Sequence, residues 1–396
     1  MAGRGRRGLG WLEPALAVLG RRYFGAGELR CDWTAARWVR ATGAALAERL
    51  APALGEACST EGVEVPDESW AVLAAARLEN ERRNEAQELV LRELGLAFEA
   101  AGVRPVLFKG LALARHYPAR AVRETGDVDL LVVPGELPGA EEVLRAAGFE
   151  HWGGGGRLSA CYPLTYGRIA EGGDEETVDL HPAWHEVTVD GGGYDVVVGH
   201  VREPVESGQV GGSGWALLPP AVELYLTAAH SVLHNHRTLS LYLDLAVQLA
   251  SVGERQKAKA SELARAQGRD RHLRHAMTTA AELFGLEVDV RHLTVPRRLG
   301  VPLALRLGYT GAGFRLLPSS LVMELALRRG LRRRLDFARW VLGHGGRVEA
   351  GERGSGPGGW IRRFVRGLRW FQGTVLRYRT PGSSPLRPRA GFGYNR

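Results

Sequence analysis

The chain has 396 residues, 45% of them apolar, and carries 52 Lys+Arg against 44 Asp+Glu, for a formal net charge of +8. That is enough apolar chain to bury one large core or two moderate ones, and length alone suggests about two or three domains. Three cysteines at wide spacing (Cys31, Cys58 and Cys161) exclude a disulfide framework and a Cys-x-x-Cys metal site, which suits a reducing cytoplasm.

Arginine supplies nearly all of the positive charge, since the only lysines are Lys109, Lys257 and Lys259. An Ala/Gly/Arg-rich composition of this kind fits a GC-rich bacterial genome, and in that background a lysine inside a motif is informative. The basic balance suits an anionic partner. Glu13 and Pro14 interrupt the apolar run near the N-terminus, so neither a membrane span nor a cleaved signal is expected there. A cytoplasmic protein is expected.

In chain order, residues 1–69 read as an Ala/Leu-rich helical region. A long helix is expected over about 70–101, with Leu91, Leu94, Phe98 and Ala101 on one apolar stripe and Gly102 as its stop. The charges around Glu79–Glu85 read as a solvated face. Next comes a buried strand at 106–108, a Lys109-Gly110 turn, a short helix, and a second strand holding Asp127, Val128 and Asp129. A helix over 137–147 ends at Gly148, and 151–156 reads as a glycine-rich loop. Segments 159–170 and 177–180, with Gly172-Gly173-Asp174 between them, read as a hairpin.

From Pro219 the pattern turns helical through Leu249, with further helices over 262–286 and 321–342. The tail from Gly343 is basic and partly disordered in character, with an Arg/Trp/Phe segment over 360–378 that would suit an anionic partner. An Arg-coated terminal helix accounts for that segment equally well. The expected organisation is thus 1–69 helical, 70–218 catalytic, 219–342 helical on the acceptor side, and 343–396 tail.

The chemistry lies in the carboxylates. Asp127 and Asp129, at i and i+2 on a strand, face the same side and repel unless a cation joins them. If the strand of Asp179 pairs in the same sheet, a third carboxylate reaches that point. Three acidic groups then hold two Mg²⁺ ions about 3.5–4 Å apart, the arrangement that serves in-line phosphoryl transfer. Gly110 at a strand–turn–helix junction offers backbone N–H groups to phosphates, with Lys109 and Arg123 as added cations. His181 and His185 are separated by Pro182 and read as packing or substrate contacts rather than zinc ligands. His230 and His234 share a helical face and read as contacts to nucleotide or acceptor, a structural role being equally open. A P-loop kinase or NTPase is disfavoured by the lack of a Gly-x-x-x-x-Gly-Lys-Ser/Thr run.

Three segments together carry a resemblance: Lys109-Gly110-Leu111-Ala112-Leu113, then Arg123 with Gly126-Asp127-Val128-Asp129-Leu130-Leu131-Val132, then Val178-Asp179-Leu180-His181. They resemble the uncharacterised bacterial nucleotidyltransferases of the polymerase-β superfamily, as do Arg83-Asn84 and the run from His230 through His234 to Asp244-Leu245-Ala246. The resemblance covers about 78–249. It implies an α+β polymerase-β-like nucleotidyltransferase core, a mixed sheet with flanking helices, followed by a helical C-terminal region. It also implies an NTP donor, with ATP expected, and Mg²⁺ at Asp127, Asp129 and Asp179. Lys109, Gly110, Arg123, Gly126, His181, His230 and His234 would lie on the nucleotide side. Leu111 stands where the superfamily has Ser or Gly, which shifts triphosphate contact onto Lys109 and backbone. The acceptor is open: a small molecule is favoured over RNA or protein. A non-catalytic basic RNA- or partner-binding protein and a toxin-type transferase acting on tRNA or protein are the alternatives.

Overall fold

In the computed structural model, the described residues are 12–27, 33–153, 164–181, 207–210, 213–233 and 238–286. His185, His234, the helix expected over 321–342 and the basic tail lie outside them.

Three helices open the chain: α1 (Glu13–Phe24), α2 (Ala35–Ala47) and α3 (Ala51–Thr60). The long helix is α4 (Asp67–Ala100), and Gly102 follows it at φ +68°, a conformation that costs glycine little. Leu91, Leu94 and Phe98 are buried as their spacing predicts, whereas Ala101 is the exposed C-cap. Strand β1 (Val106–Phe108) leads into α5 (Gly110–Ala114), then β2 (Val128–Leu131) and α6 (Leu137–Ala146). The expected loop at 151–156 differs, because β3 (Glu150–Gly153) occupies its first part. Strands β4 (Leu164–Ile169) and β5 (Glu175–His181) form the expected antiparallel hairpin, with Gly173 at φ +86° in its turn.

Two strands had no sequence expectation, β6 (Ser207–Val210) and β7 (Ser213–Leu217), which are short and rich in Gly and Ser. Helices α7 (Pro220–Leu233) and α8 (Ser240–Ser251) replace a single run from Pro219. The helix expected over 262–286 is two, α9 (Glu254–Ala266) and α10 (Asp270–Phe284), parted at Gly268 with φ +67°.

The seven strands form one mixed sheet in the order β3-β4-β5-β2-β1-β7-β6. At its centre β2 runs antiparallel to β1 and parallel to β5. Side chains alternate across the sheet, so each strand feeds two cores. Leu107, Val128, Leu130, Val178 and Leu180 pack on the far face with Leu91, Leu94 and Phe98 of α4 and with Leu144 of α6. Val106, Phe108 and Leu131 pack on the near face with Leu16, Leu54, Tyr225, Leu245 and Phe284. The N-terminal helices and those after Pro219 therefore share one core. Among the described residues no helix is long and apolar enough to cross a membrane.

Candidate active site

The site sits on the near face, where β2 meets its neighbours. Register places Asp129 opposite Asp179 on β5 and opposite Phe108 on β1, with Leu131 opposite His181. Parallel pairing in register points Asp129, Asp179 and His181 to one side. Their ligand atoms lie within 4.8 Å of one another.

Asp127 is not in the strand. It occupies a bend one residue before β2, because Gly126 and the backbone around it follow the loop rather than the sheet ladder. It still feels the cluster. The charge of Asp129, then burial, then Asp179 push its carboxyl up to about 7, while Lys109 and Arg49 pull the other way. Burial also pushes Asp129 up, yet Lys109 and His181 outweigh it and hold that carboxyl well below the usual range. One carboxylate is thus firmly ionised and its neighbour carries the strain of the crowding.

Lys109 earns its place by backbone as well as charge. It is one of two non-glycine residues with positive φ among those described, at φ +53° and ψ −142°. Such a conformation costs on the order of 1–3 kcal/mol and persists only where the surroundings enforce it. Here the turn sends the chain from β1 into α5 and brings Nζ back to Asp129 Oδ1 at 3.1 Å, with the ammonium 5.0 Å from the Phe108 ring centroid. Gly110 has φ +27°, and a Cβ there would come within 3.1 Å of the Asp127 carbonyl oxygen, so only glycine lets the turn lie against the Asp127 bend. His181 is buried, shares Asp129 Oδ1 through Nε2 at 2.9 Å, and packs edge-on to Phe108. That contact orients the carboxylate, and His181 is itself one of the three residues that offer a ligand atom here.

Arg123 lies lower in the structure. Its Nε and Nη2 donate to the two carboxylate oxygens of Asp244 at 2.8 and 2.9 Å, and Nη1 donates to the Gly110 carbonyl at 2.9 Å. Tyr117 adds a hydroxyl donated to Asp244 at 2.7 Å. From the other end of α5, Arg115 and His116 reach Glu223 at 2.8 and 2.9 Å. Two buried acids on α7 and α8 thus bolt the Lys-Gly turn to the helical half. His230 lines a cavity of about 30 Å³ together with Lys109, Arg123, Glu223, Thr227 and Asp244. That volume suits a water or two rather than a nucleobase.

Several contributors had no assigned role in the sequence expectations, although Asn84 entered them through the family resemblance. Thr165 donates to Asp179 Oδ1 at 2.7 Å. Centring the hairpin on Gly172 places Thr165 opposite Asp179, so register alone could have found it. Asn80 and Asn84, one turn apart on α4 and buried, donate to the carbonyls of Ala121, Arg123 and Arg120. Asn84 also accepts from the Thr125 hydroxyl. They clamp the loop that delivers Asp127; two asparagines at i and i+4 inside a charged helix were the visible signal. Arg49, between α2 and α3 at φ +57°, lies against Gly126 and pairs with Glu124 at 2.9 Å. Nothing in its local sequence marks it.

The donor set suits a hard divalent cation. It offers two carboxylates and one imidazole within 4.8 Å of one another, and a third carboxylate, Asp127, feels their charge from the bend before β2. Asp129, Asp179 and His181 are the described residues whose ligand atoms lie close enough together to hold it, and Asp127, in the bend before β2, is not part of that set. The mixed sheet carries this cluster beside the Lys-Gly turn, as the resemblance to nucleotidyltransferases led one to expect. The chain belongs to the family described as "Uncharacterised nucleotidyltransferase", whose model matches residues 34–285 and so takes in the N-terminal helices from α2 onward. No curated protein matches the chain. A crystal structure of an antigenic nucleotidyltransferase-like protein from Paracoccidioides brasiliensis is similar over 52% of this chain and 95% of that one, at 13% identity and a TM-score of 0.33.

Proposed function

We propose that the protein is a Mg²⁺-dependent nucleotidyltransferase that moves an NMP group, AMP from ATP, onto a hydroxyl of a small-molecule acceptor. The observation that carries this reading is the in-register pairing of Asp129 with Asp179, next to a lysine held in a strained turn. In the reaction the acceptor oxygen bonds to the α-phosphorus as the bond to the oxygen bridging to the β-phosphate breaks. Pyrophosphate leaves, and the hydroxyl proton passes to Asp179 and on to solvent. Bound Mg²⁺ would supply charge neutralisation for the triphosphate and acidify the attacking hydroxyl.

The protein's own groups do the rest. Lys109 exchanges its Asp129 partner for a phosphate oxygen as substrate enters. His181 and Thr165 keep Asp129 and Asp179 aimed at the reacting centre. Arg123, committed to Asp244 and the Gly110 carbonyl, holds the turn in place and acts as a positioning residue. Pyrophosphate release from labelled NTP in the presence of Mg²⁺ and a cell extract tests the reading. Asp129→Asn should lower it by about 10²–10³-fold, the scale of losing one preorganised charge at a phosphoryl-transfer site. Undiminished release from that variant, folded by circular dichroism, would remove the carboxylate site from the mechanism.

A further inference from the structure

Beyond Asp179 the near face of the sheet continues, and what stands on it speaks to the acceptor. Strand β4 lies next to β5, with Thr165 opposite Asp179 and Gly167 opposite Thr177. A Cβ on Gly167 would come within 2.4 Å of Cδ2 and Cε3 of Trp152 and 2.6 Å of its Cε2. Three ring atoms at nearly equal distance mean that the indole lies flat on the strand at a residue with no side chain to push it off. Trp152 is nonetheless 43% exposed, and Ile169, the next residue of β4 on that face, is 59% exposed. One strand spacing and one residue pair separate this shelf from Asp179, roughly 7–8 Å.

Direction decides which substrate meets it. In an in-line displacement the attacking oxygen and the leaving pyrophosphate lie on opposite sides of the phosphorus. Strands β1 and β5 flank β2 on opposite sides. Lys109 stands on the β1 side, so the pyrophosphate departs there and the acceptor approaches from β5 and β4. We infer that Trp152, seated on Gly167, is the stacking platform of the acceptor subsite, and that the acceptor carries a planar aromatic ring beside the hydroxyl it presents to Asp179. This rests on the transferase reading and adds the acceptor's chemical class to it. An indole seated on backbone with 43% of its surface exposed offers the flat apolar area that stacking of a ring requires.

The test is a calorimetric titration of the full chain, saturated with Mg²⁺ and a non-hydrolysable ATP analogue, with three probes: adenosine, 2-phenylethanol and ribose. A tri-adenylate arm distinguishes a free ring-bearing acceptor from a strand end that presents the same ring. Adenosine and 2-phenylethanol should bind and ribose should not. Trp152→Ala should weaken ring binding about tenfold, Trp152→Phe by less than threefold, and Gly167→Ala, which lifts the indole, by an intermediate factor. Affinity for the ATP analogue should stay unchanged in all three variants. Ribose binding as tightly as adenosine, ring binding indifferent to Trp152→Ala, or a Trp152→Ala loss that falls on the ATP analogue instead would each overturn the inference. Failure of wild-type protein to bind the analogue would sink the transferase reading alone, because the same titration without nucleotide still reads the shelf.

Discussion

The two faces of the central sheet are built from the same strands under opposite rules. On the far face, Val128, Leu130, Val178 and Leu180 meet α4 and α6 in an apolar layer whose polar contacts lie at its margin, Tyr166 to Glu141 and Arg168 to Glu93. On the near face, the residues alternating with them include Asp129, Asp179 and His181, buried or half-buried, among Phe108 and Leu131. Burial of an ionised carboxylate is costly unless partners repay it. The far face supplies the stability that lets the near face hold like charges together. Structure and chemistry are thus separated across the thickness of one strand.

That comparison breaks most visibly at the joint between the sheet's turn and the helical half. Asp244 is buried and the Arg123 side chain is 10% exposed, so removing Arg123 leaves a buried carboxylate with only the Tyr117 hydroxyl beside it. Arg123→Ala should cost about 3–5 kcal/mol in urea unfolding and also loosen the Lys-Gly turn. A loss below about 1 kcal/mol would show that the pair is not what joins the two regions. On the far face, Leu130 is fully buried, and Leu130→Ala should cost about 2–5 kcal/mol while leaving the activity of the remaining folded molecules intact. Activity lost out of proportion to folded protein would mean that the faces are not independent.

The smallest effect is the sharpest. Asp127 titrates near 7 in the fold against about 4 unfolded, so between those values the folded state holds a proton that the unfolded chain has released. Its contribution to stability therefore falls as pH rises through about 4 to 7, and the repulsion is complete above that window. Asp127→Asn should stabilise the metal-free protein at pH 8 by roughly 1–2 kcal/mol, a few degrees in Tm, with the gain vanishing near pH 4. A pH-independent change in Tm would place Asp127 outside the cluster. Asp129 has the opposite sign: its ion pairs stabilise the fold above the ordinary carboxylate range and are lost as pH falls.

Much of this was legible in one dimension. The strand at 106–108, the Lys109-Gly110 turn, the stops at Gly102 and Gly148 and the hairpin around Gly172 all follow from local pattern, since each rests on backbone preference or on alternation over a few residues. Strands β6 and β7 left too little pattern: four or five residues rich in Gly and Ser carry no clear alternation, and β7 becomes a strand by pairing with β1. The break at Gly268 was equally quiet, because a single glycine inside an apolar periodicity is compatible with a continuous helix.

What the sequence determined by itself is the local chemistry: which residue types stand at i and i+2, where glycine relieves a turn, and that one rare lysine follows a buried strand. The tertiary structure decided which of them meet. It brought Asp179 alongside Asp129 from fifty residues away, moved Asp127 off the strand, and committed Arg123 to Asp244. It also drew Arg49, Asn80 and Thr165 toward the site, and laid Trp152 against Gly167. Register and packing are relations between distant segments, set by which faces can be buried together, and no single stretch of chain contains them.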